Sequence, residues 1–316
     1  MFYPSGRQIQ LIHGDSQAVI TQVGATLRSY EVEGSQILWG FDESEICTGG
    51  RGQVLAPWPN RLDDGRYDFA GITGVAALDD PARGCAIHGL VRWLSWEIRE
   101  ASQQRALLAC WLAPQPAYPF SLRLEVTYSL GDKGLSVQFD AFNEGETTMP
   151  FGIGFHPYLA VGAGGVDAAR LRIPAQRRLI LNDRGLPSGI ETVEDTEYDF
   201  RSEQGREGTP SRPLRNFEGL HLSDCFTNLA TDDNGSWSVL FQPDPAVDCA
   251  VILWGDKAFS HIMCFTGDTL PEPIRRCAVA IEPMTCPPNA LRTGENLILI
   301  EPGGAATGSW GIRTES

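Results

Sequence analysis

Hydrophobic and polar residues alternate strictly in two neighbouring segments of the chain. In SLRLEVTYSL every second residue from Leu122 to Leu130 is apolar, and LSVQFDAF repeats the pattern from Leu135 to Ala141. A period of two places one face of a β-strand on a core and the other toward water. The segment GDKG (131–134) between the two runs favours a tight turn, so we predict a β-hairpin.

Similar apolar runs recur along the chain, and turn-forming residues separate them. The runs are QAVITQV, RWLSWEIRE, QRALLACWL, SWSVLFQ, CAVILWG, ENLILIEP and SWGIRT. Many short strands with turn-rich joints predict an all-β fold, a large β-sandwich. The polar stretch from Glu191 to Ser211 predicts a long surface loop. Because no repeat, linker or composition break interrupts the pattern, we expect a single domain over residues 1–316.

Composition and charge narrow the possible functions. The 34 glycines and 21 prolines among 316 residues fit a turn-rich fold, and the net charge of −15 disfavours binding to nucleic acid or to anionic membranes. The N-terminus lacks a secretory signal, and no apolar run reaches the ~20 residues of a membrane span, so we expect a cytoplasmic protein. Eight scattered cysteines without a CxxC pair favour reduced, structural thiols.

Two titratable residues follow apolar, strand-like segments. His156 lies in PFGIGFHPYL, where the His-Pro step should end the strand and leave the imidazole at an edge or rim, free to exchange protons near neutral pH. Glu282 follows the apolar run Ala278–Ile281, which predicts a carboxylate at the end of a buried strand with a shifted pKa. A hydrogen-bonded structural histidine and a solvent-facing glutamate fit the same positions.

Further polar side chains could bind hydroxyl groups. The candidates are Asn60 and Arg61 after Pro-Trp-Pro, and Asp224 in HLSDCFTNL. His88, in CAIHGLVRW, stands after an apolar strand end and before a glycine, and a structural histidine fits this position as well. Arginine offers a planar fork of donors suited to hydroxyls or carboxylates, while Asp224 equally fits an Asx turn. Trp58 and Trp93 could form a platform for a sugar ring, or pack in the core.

Five segments in a fixed order narrow the assignment. They are NRLDDGRYDFAG, AIHGL, GFHPYL, LSDCFTNL and AIEPMTCPPNAL, whereas P-loop, GxGxxG, HExxH and GxSxG motifs are absent from the sequence. From about Gly24 to Ile300 the chain resembles the aldose 1-epimerase (galactose mutarotase) family. The resemblance implies a large β-supersandwich that binds a small-molecule sugar in a cleft on one face and needs neither a cofactor nor a metal.

The resemblance also implies a role for each matching residue. Glu282 matches the family's general base and His156 its general acid, while Arg61, His88 and Asp224 match residues that hold sugar hydroxyls. Ionised Glu282 would take the proton of the C1 hydroxyl, and protonated His156 would protonate the ring oxygen. The hemiacetal then opens, so that the α and β anomers interconvert.

The segment around His156 departs from the better-known members of the family. They carry Asn-His-Thr/Ser-Tyr-Phe, whereas this chain has Phe155-His156-Pro157-Tyr158. It is similar in this to a divergent bacterial branch, and related branches act on sugar 6-phosphates or sulfonated sugars. Such substrates need a cationic contact at the sugar's C6, for which the candidates are Arg51, Arg92 and Lys257.

Two other functions fit the same residues. A glycoside hydrolase could use Asp224 and Glu282, provided that their carboxyl groups lie about 5–5.5 Å or 6.5–9.5 Å apart. A non-catalytic sugar-binding or sensing protein could share the scaffold, although binding alone requires no acid–base pair. The sequence does not indicate an oligomeric state.

Overall fold

The computed structural model describes residues 3–201, 214–247 and 249–315. The strands of the first half are β1 (Gln8–His13), β2 (Ser16–Thr21), β3 (Leu27–Val32), β4 (Ser35–Gln36), β5 (Val54–Leu55), β6 (Arg61–Asp63), β7 (Arg66–Phe69), β8 (Ile72–Val75), β9 (Cys85–Ile87), β10 (Glu97–Ala101), β11 (Arg105–Leu112), β12 (Leu122–Gly131), β13 (Gly134–Asn143) and β14 (Met149–Phe151). Those of the second half are β15 (Gly154–Phe155), β16 (Tyr158–Ala160), β17 (Arg170–Arg172), β18 (Ala175–Leu181), β19 (Pro187–Thr192), β20 (Arg215–Asn216), β21 (Ser223–Leu229), β22 (Trp237–Gln242), β23 (Ala250–Gly255), β24 (His261–Phe265), β25 (Ala278–Met284), β26 (Ile298–Ile300) and β27 (Ala305–Glu315). The described helices are short, α1 (Gly165–Ala168), α2 (Ala290–Thr293) and a 3-10 turn at Pro81–Arg83.

Two large antiparallel sheets organise the described part of the chain. One has the strand order β10-β11-β12-β13-β27-β23-β22-β17-β20, and the other has β19-β18-β21-β24-β25-β15-β5, with β16 also paired to β25. Strands β1 to β4 form a further sheet, and three strand pairs complete the set. The prediction of an all-β fold is confirmed, and every apolar run predicted as a strand contains one.

The predicted hairpin forms the middle of the first large sheet. Strands β12 and β13 pair from Leu122 with Asn143 to Gly131 with Gly134, so the turn lies where the sequence places it. Alternate residues of both strands are buried, as the period of two requires. The buried row packs into a core cluster that contains residues from both large sheets.

Strand β25 is buried along its whole length, which explains why its residues do not alternate. Val279 and Ile281 join the main core, while Ala278 and Ala280 pack with Tyr158 on the opposite face. Polar alternation is lost because elements cover both faces of this central strand. The prediction that Glu282 lies at the end of this strand is therefore wrong, since β25 continues to Met284.

The sheet tolerates Pro283 inside β25 because the neighbouring strand is interrupted there. On that side Ile281 N–H donates to the Pro157 carbonyl at 3.2 Å and Thr285 N–H to the Ile153 carbonyl at 2.9 Å. Pro283, between them, has no N–H to donate. The register places it opposite the end of β15, and the pairing resumes at β16.

Several smaller expectations can be compared with the fold. Glu191 and Thr192 belong to β19, residues 193–201 form the predicted loop, and the rest of the predicted loop lies outside the described residues. All eight cysteines lie in the described part of the chain as free thiols, and six of them are buried. Among the described helices, none has the length and apolar character needed to cross a membrane.

Candidate active site

His156 and Glu282 face each other across the interruption between β15 and β16. Gly154 pairs with Met284 and Tyr158 pairs with Ala280, so the register sets His156 opposite Glu282. The Nε2 atom of His156 lies 3.4 Å from Oε1 of Glu282. The strand stops before His156, as predicted, but the residue lies inside the sheet rather than at its edge and is only 5% exposed.

Burial sets the protonation of this pair. It raises the pKa of Glu282 to about 8, although nearby Arg61 opposes the shift. It also lowers the pKa of His156 to about 3, because the charged imidazolium loses its hydration. Both groups are therefore neutral at pH 7, instead of the ion pair that the sequence predicts. The two forms contain the same single proton and differ only in which partner holds it.

A cavity of about 240 Å³ opens beside the pair. It is smaller than the range of roughly 300–1,000 Å³ typical of sites for drug-sized ligands, so a single sugar ring is a suitable occupant. Besides His156 and Glu282, its polar lining consists of Asn60, Arg61, Arg83, His88, Arg92, Ser223 and Thr269. Its apolar lining includes Ile87, Tyr158, Met263, Phe265 and Leu270.

Backbone geometry fixes the orientation of His88. Its Nδ1 accepts a hydrogen bond from the Asn60 N–H at 3.2 Å, which assigns the imidazole proton to Nε2 and leaves Nε2–H as a donor. Burial, followed by the nearby His156, holds the pKa of His88 well below its usual value. Both His88 and Gly89 have positive φ, and a side chain at Gly89 would lie 2.0 Å from the Ala56 carbonyl oxygen. Only glycine fits after this histidine.

Three arginines give the cavity a positive lining within an acidic chain. Arg61 donates through Nε to Asp80 at 2.9 Å, and Arg83 lies 3.8 Å from the same carboxylate. Arg92 forms an ion pair with Asp79. Of the predicted cationic contacts, the structure brings only Arg92 to the described lining. Arg83 is a lining residue that the sequence analysis does not predict. Its position five residues before His88 is the indication that the sequence offers.

Arg51 and Lys257 are not among the described residues that line the cavity. The Arg51 guanidinium donates to the carbonyls of Gly40 and Thr48 and stacks 4.6 Å over the ring of Trp39. Its hydrogen-bonding capacity is therefore used to hold the loop before β5. Arg51 is predicted from its charge alone, and charge does not indicate which way a side chain points.

Asp224 is the predicted site residue that the structure keeps away from the described lining. Its carboxylate pairs with Arg178 on the neighbouring strand β18. In the sheet Cys225, Met263 and Glu282 occupy one cross-strand row, and Asp224 belongs to the next row with Cys264. Since adjacent rows point to opposite faces, Asp224 and Glu282 do not flank a common space. Asp224 and Glu282 therefore do not form the geometry of a two-carboxylate glycoside hydrolase, and a sugar contact of Asp224 stays a prediction.

The predicted tryptophan platform does not line the described cavity either. Trp58 is buried at 2% exposure and belongs to the core, while Trp93 is 52% exposed beside Arg92. The aromatic lining comes from Tyr158 and Phe265 instead. Tyr158 follows His156 by two residues, which was the available signal for its position.

The fold and the site define a β-sandwich protein with a buried glutamate–histidine pair beside a small polar cavity. The family model for aldose 1-epimerase matches residues 7–312, so the chain belongs to the aldose 1-epimerase family. It is 30% identical over 301 residues to the protein YihR of Escherichia coli K12, which covers 95% of this chain and 90% of that protein. The family resemblance inferred from the five segments is confirmed.

Solved structures with low sequence identity share the fold. A GalM/aldose epimerase homologue from C. elegans superposes with a TM-score of 0.82 at 18% identity, covering 98% of each chain. A putative aldose 1-epimerase from Escherichia coli K12 gives a TM-score of 0.80 at 19% identity, covering 98% of this chain and 99% of that one. The prediction of a β-supersandwich of the galactose mutarotase type is confirmed.

Proposed function

We propose that the protein is a mutarotase, which interconverts the α and β anomers of a hexose or hexose derivative. The observation that carries the proposal is the buried pair of Glu282 and His156, whose facing atoms lie 3.4 Å apart beside a sugar-sized cavity. The aldose 1-epimerase family supports the same chemistry. A site that only bound sugar would not require two titratable groups whose pKa values are shifted in opposite directions.

The pair supplies the proton transfers that ring opening needs. Because both groups are neutral in the unliganded protein, the proton of the Glu282 carboxyl first passes to His156. Glu282 then takes the proton of the C1 hydroxyl and His156 delivers its added proton to the ring oxygen, so the C1–O5 bond breaks and C1 becomes a carbonyl. Rotation about C1–C2 and closure with the roles reversed give the other anomer. Hydrogen bonds from the sugar to the carboxylate, and from the imidazolium to the ring oxygen, favour the charged forms and replace the hydration lost by burial.

The remaining polar lining orients the sugar. We assign His88 Nε2–H, Arg61 and Asn60 to the ring hydroxyls, since all three line the same cavity as the pair. Arg83 and Arg92 lie in this lining as well. Together with Arg61 they outnumber their carboxylate partners Asp79 and Asp80 by one, and this excess positive charge favours a sugar with an anionic substituent over a neutral hexose. This preference fits the related branches that act on sugar 6-phosphates or sulfonated sugars.

The test follows the approach to anomeric equilibrium of freshly dissolved α-glucose, α-galactose, a hexose 6-phosphate and a sulfonated hexose, by polarimetry or NMR. Wild-type protein should accelerate at least one of them, and the fastest identifies the substrate class. Glu282→Gln and His156→Ala should each lose on the order of 10²–10⁴-fold in rate, the usual contribution of acid–base assistance.

Matched controls separate chemistry from general damage. Glu218 is exposed, and His13 on β1 is paired with Asp132; neither lines the described cavity. Glu218→Gln and His13→Ala therefore make the same chemical changes outside the site and should keep the wild-type rate. Sugar binding seen by calorimetry without any acceleration would replace the mutarotase proposal with a sugar-binding or sensing protein. Release of sugar from a chromogenic glycoside would point to a hydrolase instead.

A further inference from the structure

Among the described residues, no carboxylate or carbonyl of another residue orients the imidazole of His156, as one usually does in acid–base chemistry. Its buried Nδ1 makes no hydrogen bond of standard geometry there, although an interaction with the residue's own backbone raises its pKa. Such histidines commonly have their second nitrogen tied to a carboxylate or a carbonyl, which fixes both tautomer and ring orientation. Here other contacts have to hold the ring toward Glu282.

Two neighbours restrict the plane of the His156 ring. The ring of Tyr158 stacks almost parallel to it, with centroids 4.9 Å apart and planes 12° from each other. A side-chain carbon built on Gly50 would lie 2.8 Å from Cδ2, 3.2 Å from Nε2 and 3.3 Å from Cγ of His156. Because these distances differ little, the glycine lies over the face of the ring rather than beyond its edge.

The same two neighbours are connected to each other. The Tyr158 hydroxyl donates to the Gly49 carbonyl at 2.9 Å, so the tyrosine holds the turn that contains Gly50. The backbone of this segment also pairs with His156, since Gly52 N–H donates to the His156 carbonyl at 2.8 Å and His156 N–H to the Gln53 carbonyl at 3.2 Å. Ring and backbone of His156 are thus both fixed by residues 49–53 and Tyr158.

We propose that Tyr158 is a positioning residue, which acts together with the Gly49–Gly50 turn to aim His156 at Glu282 and at the sugar's ring oxygen. Packing and one tyrosine hydrogen bond replace the missing anchor on Nδ1. This inference rests on the proposed mutarotase function, because it assigns a purpose to an orientation that only acid–base chemistry requires.

A pair of glycine variants tests the proposal. Gly50 and Gly34 both have a φ of 75°, so alanine strains the backbone similarly at either position. A side chain at Gly50 pushes against the imidazole, whereas one at Gly34, in the turn between β3 and β4, would have no described atom within 4 Å. We expect Gly50→Ala to lower kcat on the order of 10–100-fold relative to Gly34→Ala, with little change in KM.

Tyr158→Phe removes the hydroxyl and keeps the stacked ring, so it provides a milder second variant. We expect kcat to fall about three- to tenfold, the equivalent of one neutral hydrogen bond. NMR signals of isotope-labelled His156 should shift in Gly50→Ala and in Tyr158→Phe, but much less in Gly34→Ala.

Equal kcat values and equal His156 signals in the two glycine variants would overturn the positioning role. The NMR comparison does not depend on turnover. If the wild-type protein accelerates no sugar, the function proposal fails, while the His156 signals still decide whether these residues orient the ring.

Discussion

The Glu282–His156 pair owes its properties to the absence of water rather than to a strong charged neighbour. In the described part of the chain burial outweighs the charged neighbours of both groups, Arg61 included, and so favours the uncharged form of each. The pair then holds one proton over a wide pH interval, from about 3 to about 8. Reversible ring opening needs this balance, because one proton is added to the ring oxygen while another is removed from the C1 hydroxyl.

This shared proton predicts an unusual pH profile. The value of kcat/KM should stay level through neutral pH and fall above about pH 8, where Glu282 loses the proton in the unliganded protein. With ordinary pKa values the pair would lose its proton above pH ~6.5 instead. Initial rates between pH 5 and 9.5, corrected for uncatalysed mutarotation, measure the position of the alkaline limb, and a fall centred near pH 6.5 would contradict the assignment.

At the residue scale the sequence indicates which side chains carry chemistry more readily than where they point. Asn60, Arg61, His88, His156 and Glu282 share one cavity lining, as four of the five segments suggest. The row of Asp224 could not be predicted, because it depends on the register of three strands that are distant in sequence. The neutral state of the pair also depends on burial from elements far along the chain.

At the element scale, the strands that bury only one face could be predicted from the sequence. The hairpin of β12 and β13 follows from local alternation and a tight turn, both of which lie within one short segment. The sequence predicts that β25 ends at Glu282, because a polar residue followed by Pro283 usually ends a buried strand. Its true length is set by neighbours on both sides, β24 and the interrupted pair β15 and β16.

The alternation in β13 can be tested with two adjacent residues. Phe139 is fully buried in the core, while Gln138 is exposed on the opposite face of the same strand. Phe139→Ala should lower the free energy of unfolding by about 3–5 kcal/mol, and Gln138→Ala by less than about 0.5 kcal/mol. Urea denaturation followed by fluorescence measures both, and similar losses would show that the strand is not one-sided.

At the scale of the whole molecule, burial stabilises the apolar core but costs stability at the site, where it covers a carboxyl group. The main core cluster draws on both large sheets, and we propose on this basis that residues 1–316 fold as one domain. Glu282 lies in the central strand of one of these sheets, where water cannot solvate its charge. The carboxyl therefore lowers the stability of the fold that presents it.

Linkage fixes the sign of this effect. The pKa of Glu282 rises from 4.5 to about 8 on folding, so between these values the folded protein binds more protons and stability falls as pH rises. At pH 8 the free energy of unfolding of Glu282→Gln should therefore exceed that of the wild type by on the order of 2–4 kcal/mol, and its unfolding temperature should be higher. At pH 5 the two proteins should be nearly equal in stability. Calorimetry at both pH values checks this, with Glu218→Gln as the exposed control. A difference that does not change with pH would refute the linkage.

The register that sets His156 opposite Glu282 also limits how this site can change over evolutionary time. Side chains alternate between the two faces of a strand, so inserting or deleting one residue in β25, or at the break between β15 and β16, would turn one partner toward the core. Surface loops tolerate such changes in length. Lineages of this protein can therefore remodel the turns around the cavity, and with them the choice of sugar, only while the residue count of these strands stays constant.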